Sequence, residues 1–369
     1  MKTYEIAVVH GDGIGPEVCQ AAIDVLKATP VANALSFVEY PAGAGHYLKV
    51  GNAFPPETHA GCTKADAILH GAAGIPGVTY PDGTETGIEF GLQLRFQLDL
   101  YANVRPIKLR PGVTSRLRDR KTGDIDYVIL RENTEGLYAA RGNGVNLRDE
   151  LAVDSLVVTR KGIERICRAA FELARKRNGA PGDGKRRVTC CDKANVLRTY
   201  AFFRKVFDEV GEHYPDIEKD YAYADAMTVY LLERPEHYDV IVMENMFGDI
   251  MSDLAAATVG SMGMSPSSEI GDHHGFFQAA HGSAPTIAGQ NIANPYGTIL
   301  SAGSMLQWLG ERHNDPRLID AADLIERSVE AAMMAPDGLT RDLGGRATTS
   351  GVTALVVKGL ANGVATAAQ

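Results

Sequence analysis

HGDGIGPEV, residues 10–18, is the stretch whose reading decides how this chain of 369 residues folds. It follows the apolar run YEIAVV (4–9), which has the length of a strand. It runs into EVCQAAIDVLKA (17–28), where Val18, Ala21, Ala22, Val25 and Leu26 recur at helical spacing. Strand, glycine turn and helix are in the order of a dinucleotide-binding βα unit. The fingerprint of that unit is G-x-G-x-x-G, and its third glycine lets helix and strand pack closely. Here Gly11 and Gly13 occupy the first two places and Pro16 the third. Proline suits the first turn of a helix but cannot replace a glycine needed for close backbone approach. The motif therefore predicts a tight strand-to-helix turn rather than a Rossmann phosphate loop.

Working outward, apolar strand-like and amphipathic helix-like segments alternate along most of the chain, which predicts an α/β fold with helices against the sheets. Strands are expected at EIAVVH, ALSFVEY, AILHGAAG, LYANVRPIK, IDYVILREN, ELAVDSLVVT, RVTCCDKA and DVIVMENMFG. Helices are expected over 160–177, within MTVYLLERPEHY (227–238), over 297–310 and over 318–334. A hydrophobic content of 45% supports a full core, and the length allows two domains. A net charge of −9 argues against a nucleic-acid partner. The five cysteines lack metal-ligand spacing and read as reduced thiols. With no signal-peptide pattern at the start and no apolar run long enough to span a membrane, a cytoplasmic location is expected.

Charge gathers where apolar strands end. Arg95 and Arg105 lie in LRFQLDLYANVRP, and Arg131 ends the apolar part of YVILRENTEGLY. One such arginine is an ordinary sheet-edge residue. Three suggest guanidinium forks for an acid with two carboxylates. In DVIVMENMFGDIMSDLAA, Asp249 and Asp253 are four apart, so a helix there puts both on one face. Either one caps the helix beside a solvated neighbour, or a cation lies between them. Asp225, in YADAMTV, is a candidate third oxygen ligand, and such a set suits Mg²⁺ or Mn²⁺. Lys193, in CCDKANVL, reads as a desolvated base or as a lysine reaching out from a strand end. Tyr138 reads as a core tyrosine or a general acid. The long irregular stretch AAHGSAPTIAGQNIANP, rich in small residues, suits contact with a flat ligand such as adenine.

This constellation resembles the β-decarboxylating dehydrogenases, which act on isocitrate, 3-isopropylmalate, homoisocitrate, D-malate or tartrate. The resemblance runs nearly end to end through GDGIGPEV, LDLYANVRP, RENTEGLY, DKANVL, ENMFGDIMSDLAA, GSMGMSPS, HGSAPTIAGQNIANP and DLGGRATT, in family order. It implies an isopropylmalate dehydrogenase-like two-domain fold, with open mixed sheets flanked by helices and not Rossmann. Residues 1–99 and 256–369 would form the cofactor domain. Residues 100–255 would form the substrate and dimerisation domain, with a clasp to a second subunit.

The resemblance also implies roles. Arg95, Arg105 and Arg131 would grip malate carboxylates, with Leu92 reading the substituent on C3. Asp249 and Asp253 would hold Mg²⁺ or Mn²⁺ together with Asp225 from the other subunit. Lys193, also supplied across a homodimer with shared sites, would assist removal of the C2 hydroxyl proton, and Tyr138 would protonate the enolate. His281, Gly282, Ser283, Ala284, Thr286, Ile287 and Asn294 would hold the cofactor. Thr286 and Ile287 match neither the acidic pattern of NAD-dependent relatives nor the basic one of NADP-dependent isocitrate enzymes. Arg341 lies where some relatives meet a 2′-phosphate, but one arginine in an exposed segment is weak evidence for NADP, so NAD is favoured and NADP is the alternative. The expected reaction is oxidative decarboxylation of a 3-substituted (2R)-malate, a 3-isopropylmalate-like alkylmalate before D-malate or tartrate, and these before homoisocitrate or isocitrate. A non-catalytic regulatory subunit of the same fold is the rival from another class. The surviving set of Lys193, Tyr138 and three aspartates argues against it.

Overall fold

The computed structural model describes residues 2–367, the side chains of 364–367 excepted. The chain divides into two compact units, one of residues 1–99, 110–114 and 260–369 and the other of 100–109 and 115–259.

The first unit opens with β1 (Tyr4–Gly11), α1 (Gly15–Lys27), β2 (Leu35–Glu39), α2 (Ala44–Val50), α3 (Pro56–Lys64), β3 (Ala67–Ala72) and α4 (Glu89–Gln97). The second unit supplies β4 (Ala102–Lys108), β5 (Asp126–Glu132), β6 (Val145–Leu147), β7 (Leu151–Val153), α5 (Arg160–Lys176), β8 (Arg187–Asp192), α6 (Arg198–Gly211), β9 (Glu218–Tyr223), α7 (Ala224–Glu233), β10 (Val240–Met243) and α8 (Asn245–Thr258). The chain then returns to the first unit with β11 (Pro266–Ile270), β12 (Gly275–Ala279), α9 (Tyr296–His313), α10 (Pro316–Met334) and α11 (Thr349–Ala367).

In the first unit the strand order is β2-β1-β3-β12-β11, parallel except for the β11–β12 hairpin. In the second it is β4-β5-β10-β8-β9, parallel except for β4 against β5. Both are mixed sheets, and neither has the 3-2-1-4-5-6 order of a Rossmann domain. Strands covered on both faces read as continuous apolar runs, which is why β8 and β10 are buried along their whole length. Helix α5 starts where the Thr159 side chain accepts from the backbone N–H of Gly162. It buries Ile163, Ile166, Cys167, Ala170, Phe171 and Ala174 against that sheet.

The opening motif has a structural explanation. Gly11 has φ +74°, and a Cβ there would lie 1.8 Å from the carbonyl oxygen of Ala72 at the end of β3. Gly13 has φ +58°, and its Cβ would lie 2.0 Å from the carbonyl oxygen of Ser283. The glycines let the turn pass against two other backbones. Ile14 N–H donates to Ser283 O at 2.8 Å, and the Asp12 carboxylate accepts from the backbone N–H groups of Ala44, Gly45 and Gly74. Pro16 sits in the first turn of α1.

Two expected strands differ. ELAVDSLVVT contributes only three residues, as β7, which pairs with β6 in an exposed two-stranded hairpin. In DVIVMENMFG the strand stops at Met243, because the Glu244 side chain accepts from Met246 and Phe247 N–H and caps α8 there. The polar β9 and β11 and the short β12 carry no apolar alternation and were not expected from pattern.

Candidate active site

In the second unit, β4, β5 and α8 bring five of the proposed residues together. Arg105 on β4 is 4% exposed and Arg131 on β5 is 1% exposed. Buried guanidinium groups persist only when paired and hydrogen-bonded. Arg131 donates through Nε and Nη2 to Asn245 Oδ1, at 2.9 and 2.7 Å, and through Nη1 to Asp249. Arg105 donates to Ser252 Oγ at 2.5 Å, and lies 3.5 Å from a carboxylate oxygen of both Asp249 and Asp253. Helix α8 comes this close because residue 248 is glycine; a Cβ there would lie 2.5 Å from the Cβ of Arg131.

Tyr138 follows β5 in a single 3-10 turn. Its O–H donates to Asp249 Oδ2 at 2.9 Å, and its ring centre lies 5.5 Å from the Arg131 guanidinium. Burial, reinforced by the Asp249 charge, pushes the Tyr138 hydroxyl up to about 12, so it keeps its proton at neutral pH. Burial also raises Asp253, with Arg105 opposing and the neighbouring Asp249 carboxylate adding to the rise. The cluster is balanced, two guanidinium groups against two carboxylates, and both carboxylates lie on one face of α8 as their spacing predicts.

Lys193 and Asp225 form a second pair at the end of β8 and the start of α7, with Nζ 2.5 Å from Asp225 Oδ1. Asp225 is exposed, and its hydrogen bond from Lys193 pulls its carboxyl below the usual range. Among the described residues no three acidic, histidine or cysteine side chains come close enough to enclose a metal ion. Within one chain, then, Asp225 does not complete a three-carboxylate set with Asp249 and Asp253.

The first unit holds the other candidates. Arg95, on α4, is ion-paired through Nε and Nη2 to Glu269, both contacts at 2.7 Å. Leu92 lies one helical turn before it and is half-buried. A cavity of about 430 Å³ is lined by Ile14, Gly263, His281, Gly282, Ala284, Ile287, Ile292, Ala293, Asn294, Arg341 and Asp342. Of the residues expected to hold a cofactor, His281, Gly282, Ala284, Ile287 and Asn294 line it, whereas Ser283 and Thr286 do not. Ser283 is buried and donates to Gly74 O, while Thr286 is exposed. Ile14, Gly263, Ile292, Ala293 and Asp342 line it as well and were missed, since apolar residues in loops carry no pattern and neither a lone glycine nor a lone aspartate signals a cavity.

The chemistry of this lining fits an adenine nucleotide. Its walls are aliphatic and suit a flat base. The His281 ring nitrogen Nδ1 lies 3.0 Å from the Gly282 carbonyl, while the buried Nε2 has no protein partner. Burial lowers His281, which leaves Nε2 as an acceptor. Asp342 is held by Thr340, Ser261 and Asn294 at the same cavity.

Fold and site together define a non-Rossmann α/β hydroxyacid dehydrogenase of the β-decarboxylating kind. Residues 5–356 match the isocitrate/isopropylmalate dehydrogenase family model. The chain belongs to this family. It is 46% identical over 348 residues to the 3-isopropylmalate/3-methylmalate dehydrogenase of Methanocaldococcus jannaschii, covering 94% of this chain and 96% of that one. It is 42% identical over 320 residues to the 3-isopropylmalate dehydrogenase of Corynebacterium glutamicum, covering 85% and 90%. Among solved structures it resembles the isocitrate dehydrogenase of Methylococcus capsulatus, with TM-score 0.84, 35% identity, and 97% and 99% of the two chains covered. A β-decarboxylating dehydrogenase of Thermococcus kodakarensis is similar at TM-score 0.78 and 36% identity, with 98% of each chain covered. The expected fold class and enzyme class are borne out, and the regulatory-subunit rival falls away. No described helix is long and apolar enough to cross a membrane.

Proposed function

We propose that the enzyme oxidatively decarboxylates a 3-alkylmalate, 3-isopropylmalate or a smaller homologue, with NAD and a divalent cation. The observation that carries this reading is the convergence of Arg105, Arg131, Tyr138, Asp249 and Asp253 on one face of α8. The cluster is neutral by itself, and a divalent cation arriving with a dianionic acid keeps it so. The arginines can then exchange their aspartate partners for substrate carboxylates, and the aspartates can face the cation. Arg95 and Leu92 are assigned to the same acid by resemblance, for a carboxylate and the C3 substituent.

Asp249 and Asp253 are hard oxygen donors that fit Mg²⁺ or Mn²⁺; Asp225 of the partner subunit is proposed to complete the set. When bound, such a cation supplies Lewis-acid polarisation of the C2 oxygen, and NAD supplies the hydride acceptor. The remaining work falls to side chains. Arg105 and Arg131 orient the acid so that its β-carboxylate can leave as CO₂. Lys193 of the partner subunit takes up the C2 hydroxyl proton. Tyr138, held protonated, returns a proton to C3 after CO₂ has left.

A homodimer is supported by the β6–β7 hairpin. Val145 faces Val153 and Leu147 faces Leu151, and these four are 50%, 47%, 53% and 53% exposed. Spacing by two puts all four on one face. An isolated two-stranded hairpin is at best marginally stable in water, so an apolar face of this kind calls for a covering surface. A second copy of the chain supplies one and also brings the required Asp225 and Lys193.

The test is a panel of 2-hydroxy diacids, comprising alkylmalates, D-malate, tartrate, isocitrate and homoisocitrate, each with NAD or NADP and Mn²⁺. Reduced nicotinamide is read by absorbance, together with CO₂ and the 2-oxo acid. The reading fails if no alkylmalate gives CO₂, or if a tricarboxylate outpaces every alkylmalate.

A further inference from the structure

We propose that Glu269 is the positioning residue that sets the orientation of Arg95 for substrate recognition; this rests on the functional reading above. Glu269 lies on β11, whose sequence is PSSEI, and its side chain is wholly buried. Glutamate is depleted in strands, and a buried carboxylate is costly unless paired. A buried ion pair is also weak grounds for stability, because desolvation offsets most of the attraction. A residue that breaks local preference without a gain in stability points to a site.

The geometry identifies that site as Arg95. Both Glu269 oxygens engage one edge of the guanidinium, Oε2 with Nε and Oε1 with Nη2, each at 2.7 Å. Two parallel hydrogen bonds fix the rotation of a planar fork as well as its position. Glu269 is itself anchored. Gln278 on β12 donates Nε2–H to Oε1 at 2.9 Å. The two residues are diagonal neighbours across the β11–β12 hairpin, where Ser267 faces Gln278 and Glu269 faces Phe276. Arg95 is thus a side chain on a nine-residue helix, oriented by a carboxylate on a hydrogen-bonded hairpin. A long flexible side chain ordered before binding loses less entropy when the ligand arrives. Glu269 acts through Arg95, so its removal affects recognition of the acid and leaves the hydride and proton steps alone.

The experiment compares Glu269→Gln, Arg95→Lys and the double variant, using whichever 2-hydroxy diacid the wild-type enzyme turns over. Glu269→Gln is expected to raise KM for the acid about tenfold, with kcat within about twofold of wild type and KM for NAD unchanged. In the Arg95→Lys background, Glu269→Gln is expected to add no further rise, since the group it orients is already gone. Gln278→Met removes the hydrogen bond from Gln278 to Oε1 and covers the case in which Glu269→Gln fails to fold; a severalfold rise in the same KM is expected. The proposal is overturned if KM for the acid is unchanged in a folded Glu269→Gln or Gln278→Met variant. An equal rise in wild-type and Arg95→Lys backgrounds also overturns it. A wild-type enzyme that turns over no 2-hydroxy diacid overturns the functional reading and this proposal together, whereas turnover with unmoved variants overturns this proposal alone.

Discussion

Tyr138 donates its phenolic hydrogen to Asp249 at 2.9 Å, which joins the proposed proton donor to a proposed metal ligand within one chain. The contact arises because Tyr138 closes the loop after β5 while Asp249 lies one turn into α8, and Gly248 lets that helix sit against Arg131.

Replacing Tyr138 by phenylalanine removes the proton and keeps the ring beside Arg131. We expect kcat to fall by about 10²-fold or more, the usual contribution of a positioned general acid. KM for the acid should stay near wild type. Stopped turnover with an unchanged circular dichroism spectrum is the expected record; a kcat within twofold of wild type would remove Tyr138 from the reaction.

Metal dependence follows from Asp249 and Asp253. Dialysis against EDTA should abolish activity, and added Mn²⁺ should restore it. Asp249→Asn should shift the Mn²⁺ concentration for half-activation upward by at least about tenfold, as loss of a charged ligand does. The same Mn²⁺ titration, read as a rise in melting temperature, reports binding without catalysis.

The sharing of sites between subunits can be tested by mixing. At the Mn²⁺ concentration that half-activates wild type, Asp225→Asn and Asp249→Asn should each show little activity alone. Unfolded together and refolded, half of the dimers carry one chain of each kind, and one of their two sites is then intact. About a quarter of wild-type activity should return. No recovery would overturn the sharing of sites between subunits, and an Asp225→Asn variant as active as wild type would take Asp225 out of the site.

The hairpin face makes a separate prediction. Leu147→Asp with Leu151→Asp puts like charges directly opposite each other on the proposed interface. Light scattering coupled to size exclusion should show a monomer, and activity should be lost. A dimer of wild-type stability would mean that the face is covered by something else.

Stability should depend on pH through His70. It is 2% exposed on β3, its Nδ1 lies 2.7 Å from the Val9 carbonyl, and burial pushes it down to about 4. Below the ordinary histidine value of about 6.5 the unfolded chain takes up a proton that the folded chain refuses. This contribution is therefore intact above about pH 6.5 and is lost as the pH falls toward 4, by up to ~3 kcal/mol. Urea unfolding at pH 7.5 and 4.5 should show a smaller difference between the two pH values in His70→Gln than in wild type.

The sequence by itself determined the α/β class, the continuous strands β8 and β10 and the amphipathic α5, because burial on one face or on both writes a period into the chain. It also determined that Asp249 and Asp253 share a face, since a spacing of four is a statement about helices wherever they lie. Tertiary structure alone decided the rest. The polar strand β9 and the short β12 form because neighbouring strands offer them hydrogen bonds, and no local pattern records a neighbour. The glycines of the opening motif approach the backbones of Ala72 and Ser283, which are distant in sequence. The cavity wall of Ile14, Ile292 and Ala293 is assembled from loops, where apolar residues have no period. Glu269 lies in a polar stretch with no periodic pattern; only the folded first unit, which sets its strand beside α4, turns it into the partner of Arg95.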